Sequence, residues 1–416
     1  MNWVKKSQEE INNRIFSALH KNVNYQKESI IGLPGSYLDD KVFSQDKFDL
    51  RSAPFLSTLT LNPNHIGCHT LGLSESFFTG TQEIEREVIS ICSEDILHGL
   101  ENQFDGYVTS GGTEANIQAI WVYRNYFQIE KNAKNSEIAI LCSVDSHYSM
   151  AKAANLLNIS IFNVAVDFNT REISKATVKE AIEKANNKNI KYFIVVSNMM
   201  TTMFGSVDSI ETYVEVLEKE NCEFKLHVDG AYGGFYYPFS KEENNTINFS
   251  NPNVSSVTLD AHKMAQAPYG TGIFLVRKNL IHYATTKEAS YVEGEDCTLI
   301  GSRSGANAIA IWMILSTYGP NGWSEKVFVL QKRTDLVCKK LTDLNIEYFR
   351  HPNSNIITMK AKYIPKELAV EFGLVPDNHH DPKWYKIVVM DHVTLEKLNP
   401  FLSKLEMKIN NFSKKL

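Results

Sequence analysis

From about residue 56 to about 300, short runs dense in β-branched and aromatic residues alternate with longer runs whose apolar positions recur every three to four residues. That alternation predicts strands joined by helices, and so a mostly parallel α/β sheet, because parallel neighbours need a connection long enough to hold a crossover helix. The seven predicted strands are Tyr107–Thr109, Ile138–Val144, Ser160–Val166, Tyr192–Ser197, Lys225–Val228, Val254–Leu259 and Gly272–Arg277. Between them, Ala119, Ile120, Tyr123 and Phe127 fall on one helical face, as do Met150, Ala154 and Leu157, and again Ile210, Val214 and Leu217. Asp208 followed three residues later by Glu211 predicts a capping box at the start of the last of these helices.

An apolar helix is predicted from Ala306 to about Thr317, stopped by Tyr318-Gly-Pro-Asn-Gly. A helix over about 324–344, strands around Asn355–Met359 and Tyr385–Met390, and a closing helix from Thr394 follow. That order predicts a small α+β domain. Residues 1–55 read as an amphipathic helix and an irregular stretch rich in Gly, Pro, Ser and Asp, which cannot form a core alone. The expected organisation is an N-terminal segment (1–55), a large α/β domain (56–310), and a linker helix with a small C-terminal domain (311–416).

Composition narrows the function. A 416-residue chain with 43% hydrophobic and 22% charged residues is globular and long enough to bury a large core. A net charge of −5 without a basic block argues against a nucleic-acid partner and for a small-molecule substrate. No run approaches the ~18 apolar residues of a membrane span, and the opening residues lack a signal-peptide core, so a cytosolic protein is expected. Six dispersed cysteines (68, 92, 142, 222, 297, 338) suggest neither a disulfide scaffold nor a zinc site. His65 and His69 around Cys68, and the pair His379-His380, lack a third metal ligand at diagnostic spacing, so no metal is expected.

Four segments carry residues able to do chemistry. In DGYVTSGGTEAN (105–116) a strand enters a Ser-Gly-Gly-Thr turn and then a helix, a turn that exposes backbone N–H groups to an anion; it also reads as a plain glycine-rich helix cap. In KLHVDGAYGG (225–234) Asp229 stands at the carboxyl end of a strand, where open α/β sheets bind ligands, although a surface acid or cap has the same pattern. In TLDAHKM (258–264) Lys263 follows a strand directly; desolvated there it would be a nucleophilic amine, and solvated it would be an ordinary surface lysine. His147, between a strand and a helix, could stack on a planar ligand, shuttle a proton, or serve only as a structural histidine. The combination is more specific than its parts. An anion cup, a flat imidazole, a strand-end carboxylate and an amine in one α/β domain match the phosphate, ring face, ring nitrogen and aldehyde of pyridoxal phosphate.

The stretches SGGTEAN (110–116), DSHYSMAKAANLL (145–157), HVDGAYGGF (227–235), DAHKM (260–264) and TLIGSRSGANAIAIW (298–312) resemble, in order, those of the group II pyridoxal-phosphate-dependent amino-acid decarboxylases, and most closely histidine, serine and tyrosine/aspartate decarboxylases. The resemblance implies fold type I: a large domain with a mostly parallel seven-stranded sheet, a small C-terminal domain, and a homodimer on which the N-terminal segment packs. It implies that Lys263 bonds the cofactor aldehyde and Asp229 pairs with the ring nitrogen, while Ala231 packs under the ring and His147 above it. Gly112, Thr113, Thr202 (or Thr201, in MTTMFGSVD), His262 and Asp260 would lie around the cofactor. Ser302 would reach the neighbouring subunit's phosphate, and Tyr291 would sit on a catalytic loop and reprotonate Cα.

The leading expectation is decarboxylation of an L-amino acid to an amine and CO₂. Another fold-type-I reaction, such as transamination, β-elimination or C–C lysis, is the alternative, and a non-catalytic binding module is a third reading. Substrate selection is expected around 61–78 and in the small domain, with His65, Arg350 and His351 as candidate contacts.

Overall fold

The computed structural model describes residues 29, 31–32, 39, 41–42, 65–66, 79–240, 245–285 and 295–413. A seven-stranded sheet is built from β1 (Phe104–Thr109), β2 (Ile138–Ser143), β3 (Ser160–Val164), β4 (Tyr192–Asn198), β5 (Glu223–Gly230), β6 (Val254–Asp260) and β7 (Gly272–Arg277). Its order is β1-β7-β6-β5-β4-β2-β3, and β7 runs antiparallel to both neighbours. All seven predicted strands are present, within a few residues at their ends.

Side-chain alternation explains the layers. Ile138, Ile140, Ile194 and Val196 point to one face and pack under α1 (Gly112–Lys131) and α2 (Ser149–Leu157). Ala139, Leu141, Phe193, Val195, Leu226 and Val228 point to the other and join a larger core. That core takes in α3 (Lys175–Asn186), α4 (Ile210–Lys219) and the C-terminal layer. The strands lie mostly buried between helices, which is why their sequences read as nearly continuous apolar runs.

The helix predicted from Ala306 continues as α5 (Gly305–Asp343), broken at Gly319, whose φ of 58° departs from helical values just before Pro320. The C-terminal antiparallel sheet holds β8 (Tyr348–Phe349), β9 (Ile356–Lys360), β10 (Val375–Pro376) and β11 (Trp384–Val388) in the order β8-β9-β11-β10. The two longer strands were expected; the two-residue strands are too short to leave a periodic signal. A closing helix, α6 (Leu395–Ser413), starts one residue after the expected Thr394.

The capping box expected at Asp208 and Glu211 is corrected. Ser209 caps α4, its side chain accepting the Thr212 N–H at 3.1 Å. Asp208 is drawn inward instead, because its N–H pairs with the Asn198 carbonyl at 2.9 Å and its carboxylate accepts from the Asn198 backbone at 3.0 Å and side-chain amide at 2.6 Å. Full burial pushes its pKa up to about 7. Among the described residues, no helix is long and apolar enough to cross a membrane.

Candidate active site

The carboxyl ends of β1, β4, β5 and β6 meet on one edge of the sheet, where the turns after each strand carry the candidate residues. Ser110-Gly111 leads from β1 into α1 with Gly111 at φ 155° and ψ 170°, a region open essentially to glycine. A Cβ on Gly112 would come within 3.0 Å of the Ala231 Cβ and 3.1 Å of an Asp260 carboxylate oxygen, so a larger residue there would have to push one of these strand ends aside. Among the described residues, the N–H groups of Thr113 and Glu114 in the first turn of α1 have no protein acceptor and open onto the cleft. The Glu114 carboxylate turns back, accepting from Ser110 N–H at 2.7 Å and Tyr107 O–H at 3.2 Å.

These turns surround a cleft of about 300 Å³. Gly112, Thr113, His147, Ala231, Asp260, His262 and Lys263 line it together. A narrower continuation, sharing His147, Ala231 and Lys263, adds Asp229, Thr201, Thr202, Asn198 and Met200. Nine of the residues singled out in the sequence therefore converge: Gly112, Thr113, His147, Thr202, Asp229, Ala231, Asp260, His262 and Lys263. Ser302 is solvent-exposed and outside the lining. Its neighbour Arg303 is buried and pinned to Glu85 and to the Val108 carbonyl. Tyr291 and Cys68 lie outside the described residues.

Lys263 lies one turn after β6, with its amine 3.6 Å from Asp260 Oδ2, which also accepts the Gly112 N–H at 3.2 Å. Asp260 Oδ1 stands 2.8 Å from His262 Nδ1, yet neither buried atom has a well-formed hydrogen bond. Asp229 is 7% exposed; it accepts from Asn116 Nδ2 at 2.9 Å and the Ala231 N–H at 3.1 Å. Burial lowers the pKa of His147, against the opposing pull of the Asp229 carboxylate, so its imidazole is largely neutral at pH 7.

This donor set fits pyridoxal phosphate. Free helix N-terminal N–H groups suit its phosphate, a partly exposed primary amine its aldehyde, and a buried carboxylate deeper in the cleft its ring nitrogen.

Two residues, Asn116 and Lys386, escaped the sequence reading, and the backbone of Met200, in the MTTMFGSVD stretch, is a further feature of the cleft wall. Asn116 sits one helical turn beyond Gly112, a spacing that puts both on the sheet-facing side of α1. Met200 holds φ at 69°, a left-handed backbone rare for a non-glycine residue, and its side chain is 3% exposed in the cleft wall. Lys386, within β11, is 3% exposed and donates to the Thr202 carbonyl at 2.9 Å. Among the described residues no carboxylate lies within ion-pair distance of it, and burial with the Lys263 charge pushes its pKa down to about 8. A lysine inside the run Trp-Tyr-Lys-Ile-Val was the available signal. Arg350, by contrast, is engaged with Asp335 at 2.6 Å and the Ser354 carbonyl at 2.8 Å, and neither it nor His351 lines the cleft.

Residues 82–360 match the model of the pyridoxal-dependent decarboxylase conserved domain. The chain is 52% identical over 404 residues to a tryptophan decarboxylase of Clostridium sporogenes, covering 97% of each chain. It is 30% identical over 374 residues to a probable L-tyrosine/L-aspartate decarboxylase of Methanocella arvoryzae, covering 86% of this chain and 95% of that one. The L-methionine decarboxylase of Streptomyces sp. 590 superposes with a TM-score of 0.78 at 20% identity, covering 96% of each chain, a likeness of fold. Transamination, elimination and a non-catalytic module are thereby disfavoured against decarboxylation. The chain belongs to the pyridoxal-dependent decarboxylase family and is a fold-type-I, pyridoxal-phosphate-dependent carboxy-lyase acting on an amino acid.

Proposed function

We propose that this carboxy-lyase converts L-tryptophan to tryptamine and CO₂. The observation that carries the reading is the 52% identity, across 97% of both chains, with the tryptophan decarboxylase of Clostridium sporogenes, against 30% for the relative described as acting on tyrosine or aspartate. The cleft agrees with a large aromatic substrate: Tyr148 and Tyr269, each 65% exposed, stand at its mouth, and Met200 lines its inner part.

Pyridoxal phosphate, when bound, supplies an electron-withdrawing ring that takes up the electron pair left on Cα as CO₂ departs. In this reading Lys263 provides the amine for its aldehyde. The turn at Gly112 and Thr113 receives its phosphate, with His262 and Thr202 alongside and Ser302 contributed across a dimer interface. Asp260 holds the turn and the lysine together through Gly112 and offsets the lysine charge. Ala231 and His147 bracket the ring plane. Asp229, kept in place by Asn116 and the Ala231 N–H, holds a proton at the ring nitrogen by opposite-charge attraction. Lys386, outside the cleft lining itself but bonded to the carbonyl of Thr202 in its wall, is assigned the substrate carboxylate, supported by its burial without an acidic partner among the described residues. Tyr291 or His147 returns the proton to Cα; His147, being largely neutral, suits stacking better than proton storage.

The proposal includes a homodimer with shared sites, supported by the exposed Leu299 and Ile300 beside Ser302, and a cytosolic setting, supported by the free state of the five cysteines among the described residues. It also retains the division at 1–55, 56–310 and 311–416. Steady-state kinetics with L-tryptophan, L-tyrosine, L-phenylalanine, L-methionine and L-aspartate test the substrate. kcat/KM for tryptophan should exceed that for aspartate by about 100-fold or more, and a preference for tyrosine or aspartate would overturn it.

A further inference from the structure

Behind Asp229 and Asn116 lies a run of hydrogen bonds whose inner members, His227, Ser256 and Tyr123, have no part in the roles above. Tyr123 O–H is 2.5 Å from Ser256 Oγ, and Ser256 Oγ is 2.7 Å from His227 Nδ1. His227 Nε2 is 3.0 Å from Asn116 Oδ1, with Thr258 Oγ1 3.2 Å away. Asn116 Nδ2 reaches both Asp229 Oδ2 at 2.9 Å and Ser149 Oγ at 3.0 Å, and Ser149 Oγ is 2.9 Å from His147 Nδ1. His227 shares a strand face with Asp229 two residues on, and a register shift between Leu226 and His227 brings it opposite Ser256. Its side chain is fully buried.

The polarity of this run is fixed by its end. An ionised carboxylate only accepts, so Asn116 must present its N–H₂ to Asp229 and its carbonyl to His227. His227 must then carry its proton on Nε2, leaving Nδ1 to accept from Ser256, whose oxygen accepts from Tyr123. Every member donates toward Asp229. Burial depresses the His227 pKa to about 4, so the imidazole stays neutral and single-tautomer across the working pH range. On the side branch the Ser149 hydroxyl, having accepted from Asn116, donates to His147 Nδ1, which leaves the His147 proton on Nε2.

We infer that His227 is a positioning residue: by donating to the Asn116 carbonyl it holds that amide with its N–H₂ on Asp229, and thereby keeps the cofactor's ring nitrogen protonated and the His147 tautomer set. The inference rests on the assignment of Asp229 to the ring nitrogen. With a leucine at 227 the Asn116 carbonyl would lose its donor in a buried site, and the amide, held only from its N–H₂ side by Asp229 and Ser149, would shift to find another. That shift would weaken the bond anchoring Asp229, and the ring nitrogen would be held less firmly by its counter-ion.

The test uses holoenzyme loaded with pyridoxal phosphate ¹⁵N-labelled at the ring nitrogen. The ¹⁵N shift is read for the parent, His227→Leu, His227→Gln and Ser256→Ala, alongside kcat and KM. Glutamine retains an N–H for Asn116 and should keep both the protonated ring-nitrogen signal and most of kcat. His227→Leu should move the signal toward unprotonated pyridine and lower kcat about tenfold or more while KM stays within about twofold. Ser256→Ala, a smaller change that frees Nδ1 to take the proton, should shift both readouts in the same direction even where the leucine variant fails to load. A protonated signal and parental kcat in His227→Leu or Ser256→Ala would overturn the inference alone. An unprotonated ring nitrogen in the parent would overturn the Asp229 assignment and this inference with it.

Discussion

Lys386 and Asp229 show how environment, rather than residue type, sets a role. Lys386 is a cation held at 3% exposure against the Thr202 carbonyl, with no carboxylate in ion-pair distance among the described residues, so its charge is costly until an anion arrives. With its pKa pushed down to about 8, it is mostly protonated at pH 7 and neutral at pH 9. If it receives the substrate carboxylate, kcat/KM should fall as pH rises through about 8. kcat should stay flat, because a bound carboxylate favours the charged form. Lys386→Met should raise KM by about 10-fold to 100-fold, the worth of a charged hydrogen bond, and abolish that alkaline limb; unchanged pH profiles would remove Lys386 from substrate binding. Of the site's residues, those with distinctive chemistry at strand ends (Lys263, Asp229, His147) were legible in the sequence. Asn116, His227 and Lys386 were not, because their significance depends on what a neighbouring strand or helix places opposite them.

Secondary structure was legible wherever apolar period and turn residues agreed, as in all seven strands of the large sheet. It failed at Asp208, where a side chain that could cap a helix is instead drawn in by backbone pairing with the end of β4. That burial has a measurable consequence. The folded pKa of Asp208, about 7, lies above its unfolded value near 4. The folded state therefore binds the extra proton between these values, and the stability this contributes is present in acid and lost as pH rises through 7. Asp208→Asn keeps an acceptor for Asn198 without the charge. Its melting temperature relative to the parent should climb between pH 5 and pH 8, and a pH-independent difference would contradict the burial argument. Packing is equally strict where β7 begins. A Cβ on Gly272 would meet Thr109 Oγ1 at 2.3 Å and the Gly111 carbonyl carbon at 2.5 Å. Gly272→Ala should thus cost about 2–3 kcal/mol, seen as a lower melting temperature, and weaken cofactor affinity by shifting the Gly111-Gly112 turn. Parental values of both would show that the strand end yields more readily than its contacts imply.

At the scale of the whole molecule, the chain brings nine of the residues singled out in the sequence into one cleft and leaves Ser302 exposed outside it. A shared site predicts complementation. Mixed after co-unfolding or co-expression, Lys263→Ala and an inactive bulky variant at Ser302 should recover about a quarter of parental activity, because half the dimers are hybrid and each hybrid has one intact site. No recovery would place Ser302 and Lys263 in the same subunit's site or apart from one another. The most direct test of the account follows L-tryptophan labelled with ¹³C in its carboxyl group through the pyridoxal-phosphate-loaded enzyme and its Lys263→Ala variant. The parent should release ¹³CO₂ and unlabelled tryptamine in equal amounts, and the variant should release neither at a comparable rate. A keto acid, an elimination product, or CO₂ release undiminished in the variant would contradict it.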